Sequence, residues 1–152
     1  DGDGDVVIGA PYNDSASTSA GAAYVVYGGF SSTEYLSLAD ATFRGPSRDD
    51  FAGWSVAAGD YDGDGVGDLA VGGTGYSDEG TVWIAYGPLS GVSSSYTSRL
   101  VAEDNDDYVG FALRTADFDA DGFDDLLVGA PGDDDGGTNA GALYLLWGGL
   151  GY

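Results

Sequence analysis

Aspartates alternate with small residues in two stretches of this chain, and both stretches lead directly into apolar sequence. The first reads DYDGDGVGD over residues 60–68, and the second reads DFDADGFDD over residues 117–125. Each has aspartate at loop positions 1, 3, 5 and 9 and glycine at position 6. Four carboxylates this close repel one another unless a cation lies among them. Because Ca²⁺ prefers hard oxygen ligands, the spacing predicts a calcium-binding loop in each stretch.

The predicted ligands of each loop are four carboxylates and one backbone carbonyl. Glycine at position 6 allows a sharp turn that aims the carbonyl of position 7 back at the ion. The two predicted ligand sets are Asp60, Asp62, Asp64, Asp68 and the Val66 carbonyl, and Asp117, Asp119, Asp121, Asp125 and the Phe123 carbonyl. Mg²⁺ is less favoured, since it requires a stricter octahedron and retains its waters.

Two other interpretations of these loops are less favoured. An EF-hand needs glutamate at position 12 and a helix on each side, whereas position 12 here is Val71 or Val128 within an apolar run. A solvated acidic turn would explain one copy of the pattern. Two copies in register favour a metal site, so the sequence predicts calcium loops placed between β-strands.

A third, incomplete copy of the pattern opens the chain. Within DGDGD at residues 1–5, Asp1 falls at loop position 5, Asp3 at position 7 and Asp5 at position 9. Positions 1 and 3 of this loop have no counterpart in the chain. We therefore expect this partial site to bind calcium weakly or not at all.

Composition excludes several classes of function. The 152 residues include 26 Asp and Glu but only 4 Arg and no Lys, for a formal charge of -22, which disfavours nucleic acid and anionic membrane surfaces. The chain lacks Cys and His, so thiolate sites and histidine ligands are absent. With 43% hydrophobic residues it should fold, and no apolar run has the length of a membrane helix. It also lacks Met and a signal peptide, so we expect a piece of a longer protein.

The acidic loops belong to a repeat of about 60 residues. Asp60 and Asp117 are 57 residues apart, and Asp5 and Asp68 are 63 residues apart. Apolar strands follow each loop, and no 3.6-residue apolar stripe indicates a helix. The predicted strands are 6–9, 22–28, 35–43, 53–59, 68–73, 80–87, 97–103, 110–116, 125–129 and 141–148. A complete unit therefore contains four strands.

Two of these strands are apolar at almost every position, which means that both faces of their sheets are covered. They span residues 81–86 and 142–147. Without helices, neighbouring sheets must provide the cover. The predicted fold class is all-β, with four-stranded antiparallel sheets arranged as about two and a half blades of a β-propeller. The predicted division is an incomplete blade at 1–50, a complete blade at 51–107 and an incomplete blade at 108–152. A flat sandwich would not explain the repeat.

In these motifs the chain resembles the FG-GAP repeat family, which includes the propeller of integrin α-subunits. Gly-Ala-Pro occurs at 9–11 and 129–131 and becomes Gly-Gly-Thr at 72–74. The Phe of the FG pair is replaced, although Gly53 and Gly110 match its glycine. The resemblance implies calcium sites between the first and second strands of each blade and a ring of commonly seven blades, far longer than this chain.

The expected function is that of a non-catalytic, calcium-binding, extracellular or cell-surface module in adhesion or assembly. Its expected partners are the remaining propeller blades or further copies of the chain, and an extracellular protein ligand. Nucleic acid and membrane insertion are not expected. The alternatives are a structural subunit of a filament or surface layer and, less favoured, a carbohydrate-active enzyme with paired carboxylates.

Overall fold

A computed structural model describes residues 3–29, 35–75 and 79–149, and Asp1 of the predicted partial site lies outside these residues. The described residues form β-strands and one short 3-10 helix, Leu36–Leu38. The strands are β1 (Val6–Ala10), β2 (Ala22–Val26), β3 (Ala41–Arg44), β4 (Ser55–Gly59), β5 (Asp68–Gly73), β6 (Thr81–Ala85), β7 (Gly91–Ser93), β8 (Ser98–Val101), β9 (Ala112–Ala116), β10 (Asp125–Ala130) and β11 (Ala142–Leu146). In the part of the chain so described, no helix has the length and apolarity needed to cross a membrane.

The strands form three sheets that follow one another along the chain. The middle sheet has the order β4-β5-β6-β8 and is antiparallel throughout. The sheet before it is built from β1, β2 and β3, with β7 at its edge, and the sheet after it has the order β11-β10-β9. The predicted all-β fold of antiparallel, blade-like sheets is confirmed.

Strand β5 is buried on both of its faces, which explains why its sequence is apolar. All six of its residues, Asp68–Gly73, are buried. Leu69 and Val71 pack in one core with residues of the first sheet, and Ala70 packs in a second core with residues of the third sheet. Burying a leucine or valine side chain stabilises a fold by about 1.5–3 kcal/mol. The middle sheet is therefore held between its two neighbours, as blades are in a propeller.

Paired glycines allow adjacent sheets to approach closely. A Cβ atom added to Gly9 would overlap the carbonyl oxygen of Gly53, and one added to Gly72 would overlap that of Gly110. Gly53 and Gly110 are the glycines that match the FG pair, and Gly9 and Gly72 open the segments that match GAP. Each contact joins one sheet to the next, so the two halves of the motif meet across the seam between neighbouring blades.

The strand predicted at 35–43 was placed too early. Residues 36–38 form the 3-10 helix, and the strand is β3, Ala41–Arg44. Leu36 and Leu38 are exposed, whereas Ala41 and Phe43 are buried in the core that the first two sheets share. The sequence contains two apolar runs here, and packing against β2 selects the second of them.

Strand β7 was not predicted. It lies within 51–107 but pairs in parallel with β3 of the first sheet, with Gly91 opposite Ala41. All three of its residues are exposed, so backbone pairing rather than an apolar pattern defines it. The Tyr27 hydroxyl donates a hydrogen bond to the Leu89 carbonyl at 2.7 Å and holds the same segment. The division of the chain into blades at 50/51 and 107/108 stays a prediction.

Candidate metal centre

The two complete acidic loops occupy the same place in consecutive sheets. Loop 60–68 connects β4 to β5, and loop 117–125 connects β9 to β10. In each loop three carboxylates offer oxygen atoms that all lie within 4.8 Å of one another. The two groups are Asp60, Asp62 and Asp68, and Asp117, Asp119 and Asp125. Six of the eight predicted carboxylate ligands are thus brought together as two matching triads.

The aspartate at position 9 anchors each loop to the body of its sheet. The buried Asp68 carboxylate accepts hydrogen bonds from the Tyr61 N–H at 2.7 Å and the Gly87 N–H at 2.8 Å. Asp125 repeats this with the N–H groups of Phe118 at 2.7 Å and Gly148 at 2.9 Å. Because the second donor lies just beyond β6 or β11, the carboxylate holds the loop against the third strand of its sheet.

The aspartate at position 1 folds the loop around itself. The Asp60 carboxylate accepts hydrogen bonds from the N–H groups of Gly63 at 2.8 Å and Gly65 at 2.9 Å. Asp117 likewise accepts from Asp121 and Gly122, both at 3.1 Å. Gly65 and Gly122 have φ of 81° and 95°, a left-handed conformation that favours glycine at position 6. The predicted sharp turn is present in both loops.

The aspartate at position 5 lies outside each triad. Asp64 accepts a hydrogen bond from the Val66 N–H at 2.7 Å, and Asp121 accepts one from the Phe123 N–H at 2.9 Å. Both contacts fix the backbone at position 7, whose carbonyl is the fifth predicted ligand. Coordination by these position-5 carboxylates and position-7 carbonyls stays a prediction.

In the partial first site, Asp5 at position 9 makes the hydrogen bond that anchors the loop. The Asp5 carboxylate accepts a hydrogen bond from the Gly28 N–H at 2.8 Å, as Asp68 and Asp125 do from the equivalent glycines. Asp3 lies next to the same Gly28. Neither residue belongs to a group of three clustered metal-ligating side chains among the described residues.

The charges of the loops favour a bound cation. Desolvation raises the pKa of Asp68, and the carboxylates of Asp62 and Asp60 raise it further against the opposing hydrogen bonds from Gly87 and Tyr61. The pKa of Asp119 is also raised, by desolvation and by the charge of Asp121. Neither loop contains Lys or Arg. An all-oxygen donor set with unbalanced negative charge fits a hard divalent cation such as Ca²⁺.

A contact between the two loops was missed from the sequence. The Asp124 carboxylate accepts a hydrogen bond from the Asp60 N–H at 2.9 Å, and the Asp124 N–H donates to the Asp60 carbonyl at 3.0 Å. Asp124 occupies loop position 8, where the other copies have Gly4 and Gly67. An aspartate in place of glycine at position 8 is the sequence signal for this contact. The predicted ligand set did not include position 8.

Comparison with known families agrees with this architecture. The model of the FG-GAP repeat matches residues 52–84 and 109–146, and the two segments contain both complete loops. Each segment begins beside the glycine of the FG pair and ends in the third strand of its sheet. The chain therefore carries FG-GAP repeats in these two segments.

Two groups of known proteins are similar to this chain in sequence. The chain is 31% identical over its whole length to a phosphatidylinositol-glycan-specific phospholipase D of Bos taurus, of which it covers 20%. Over 77% of its length it is 33% identical to integrin alpha-PS2 of Drosophila melanogaster, of which it covers 8%. A match to human integrin alpha-8 is 33% identical over 55% of the chain and again covers 8% of the relative. The chain thus spans a fifth or less of these relatives.

Proposed function

We propose that this chain is a calcium-binding propeller module in which each complete acidic loop holds one Ca²⁺. The observation that carries the proposal is the pair of matching carboxylate triads at the same strand connection of consecutive sheets. The triads would supply the side-chain ligands, with Asp64 and Val66 or Asp121 and Phe123 completing each set. A bound ion would neutralise the loop and stabilise the connection between the first two strands of the blade.

We propose a non-catalytic role in adhesion or assembly, outside the cell or on its surface. Integrin relatives support this setting, and the sequence contains neither His nor Cys to serve as a catalytic base or nucleophile. The two clustered carboxylate groups among the described residues are both explained by the metal loops. The phospholipase relatives are matched over a fifth of their length, so their activity is not carried over to this chain.

We propose that further blades, or further copies of the chain, cover the outer face of the third sheet. Along β11, Ala142, Tyr144 and Leu146 pack toward the middle sheet, so Leu143 and Leu145 point to the opposite face. Leu143, Leu145 and the nearby Phe111 are exposed. The equivalent face of the middle sheet is covered by the third sheet, which makes another blade the natural occupant. An extracellular protein ligand would bind the assembled propeller.

The calcium proposal is tested by thermal unfolding of the chain with and without a chelator. In about 1–3 mM calcium the melting temperature should rise, since extracellular modules bind with Kd of about 10⁻⁴–10⁻³ M. An ion that binds only the folded state stabilises it by RT ln(1 + [Ca²⁺]/Kd), which is about 0.4–2 kcal/mol per site over these concentrations.

Matched variants assign that shift to the loops. Asp62→Ala and Asp119→Ala should each remove at least one loop's share of the shift, while Asp135→Ala, in an exposed turn outside both loops, should leave it whole. An unchanged melting temperature on chelation of the parent chain would defeat the proposal.

A further inference from the structure

Loop 117–125 packs directly on loop 60–68. The two hydrogen bonds between Asp124 and Asp60 join position 8 of one loop to position 1 of the other. The Phe123 ring lies over Gly63 so closely that a Cβ atom added to Gly63 would overlap it. The Gly149 N–H also donates to the Tyr61 carbonyl at 2.8 Å. Contacts from 123–124 thus reach positions 1 and 4 of loop 60–68.

These contacts involve the metal ligands themselves. Asp60 is a member of the first triad, and Asp124 lies between the predicted carbonyl ligand Phe123 and the anchor Asp125. Ordering of loop 117–125 therefore fixes the atoms that hold the Asp60 backbone in place. Because the contacts are mutual, ordering of loop 60–68 in turn fixes Asp124 and Phe123.

We propose that the two loops bind calcium with positive coupling, and that Asp124 is the positioning residue that transmits it. The proposal rests on calcium binding as proposed above. An ion in one loop orders that loop and the contacts at Asp124, so the second loop loses less conformational freedom when its own ion binds. Coupling between two sites is reciprocal and typically changes affinity by about 5–150-fold.

The direction of the change in calcium affinity distinguishes structural coupling between the loops from electrostatic repulsion between the two ions. Two bound divalent ions repel each other, so electrostatics by itself makes binding at one loop weaken binding at the other. Positive coupling needs a structural connection between the loops. Asp124 provides it by hydrogen bonding, and its neighbour Phe123 provides it by packing.

The test follows each loop separately in a calcium titration of the ¹⁵N-labelled chain by NMR. The amide signals of Gly65 and Gly122 report loop 60–68 and loop 117–125, respectively. In Asp119→Ala, which lacks a complete triad in loop 117–125, the affinity reported by Gly65 should fall at least about 5-fold. In Asp62→Ala the affinity reported by Gly122 should fall by the same factor.

Variants of Asp124 then test whether its carboxylate transmits the coupling between the two loops. Asp124→Gly has the residue of the other two copies and removes the carboxylate acceptor, while the backbone hydrogen bond to the Asp60 carbonyl and the Phe123 packing are retained. In this background Asp119→Ala should change the affinity reported by Gly65 by a clearly smaller factor than in the parent. Asp124→Asn keeps an acceptor for the Asp60 N–H and should retain the coupling without the charge. Asp135→Gly removes a carboxylate from an exposed turn and should leave both sites unchanged.

Each outcome is decisive. An affinity at Gly65 that stays the same or rises in Asp119→Ala overturns the coupling without any Asp124 variant. Coupling that persists undiminished in Asp124→Gly, or that is lost in Asp124→Asn, overturns the role given to the hydrogen bond from the Asp60 N–H to the Asp124 carboxylate. Two calcium sites that bind independently defeat only this inference, whereas a parent chain that binds no calcium defeats the proposed function as well.

Discussion

The middle and third blades place equivalent positions of the repeat in different surroundings. Tyr61 and Phe118 both occupy position 2 of their acidic loops, yet Tyr61 is 3% exposed and Phe118 is 50% exposed. Gly72 faces the backbone of the next sheet, whereas a Cβ atom added to its equivalent, Gly129, would lie 3.6 Å from Ala112 of its own sheet. The loop chemistry is the same in both. Each blade therefore buries its face and its loop against the blade that follows it.

The largest expected difference is between the glycines that open the GAP segments. Gly72→Ala should lower the free energy of unfolding by about 3 kcal/mol or more, because its Cβ atom overlaps a backbone oxygen of Gly110 that cannot rotate away. Gly129→Ala makes only ordinary contacts and should stay within about 0.5 kcal/mol of the parent. Urea unfolding measures both variants, and equal costs would contradict the comparison.

A second pair compares position 4 of the two loops. Gly63 and Ala120 have φ of 77° and 63°, both in the left-handed region. Gly63→Ala should cost about 1–3 kcal/mol, since the new methyl group meets the Phe123 ring as well as an unfavourable backbone conformation. Ala120→Gly should be neutral or stabilise by up to about 1 kcal/mol, because it relieves that conformation.

The Gly63 and Ala120 variants are compared by thermal unfolding in chelator, so that metal binding does not contribute. If Phe123→Ala rescues most of the Gly63→Ala cost, the contact between the loops is the cause. A Gly63→Ala chain as stable as the parent would show that the Phe123 ring does not pack there.

The smallest expected difference is at position 2. Tyr61→Phe removes a 2.7 Å hydrogen bond between the Tyr61 hydroxyl and Thr115 Oγ1 across the seam, and should cost about 0.5–1.5 kcal/mol. The reverse change, Phe118→Tyr, adds a hydroxyl at a half-exposed ring and should change stability by less than about 0.5 kcal/mol. Equilibrium unfolding in urea resolves the two, and a larger effect at Phe118 would reverse the comparison.

The repeat made most of the fold predictable. Continuous apolarity in 81–86 indicated a sheet covered on both faces, and the cores on the two sides of β5 agree with that interpretation. Strand β7 was missed because its residues are exposed and its pairing depends on a neighbouring sheet. The sequence around 35–43 did not distinguish the 3-10 helix from β3, since packing on β2 decides between its two apolar runs.

The acidic loops could be predicted from spacing alone as far as local chemistry extends. The triads and the turn at position 6 follow from residue types within nine positions. The backbone donors Gly87 and Gly148 lie 19 and 23 residues from the carboxylates that they anchor, so only the folded sheet brings them together. The contact between Asp124 and Asp60 spans 64 residues and depends on the packing of one blade against the next.

Anomalous diffraction from crystals of the chain grown in millimolar calcium tests directly whether each complete loop holds one calcium ion. We expect one anomalous peak among Asp60, Asp62 and Asp68 and another among Asp117, Asp119 and Asp125, with oxygen ligands at about 2.3–2.6 Å. Well-ordered loops without a peak at either position would contradict it.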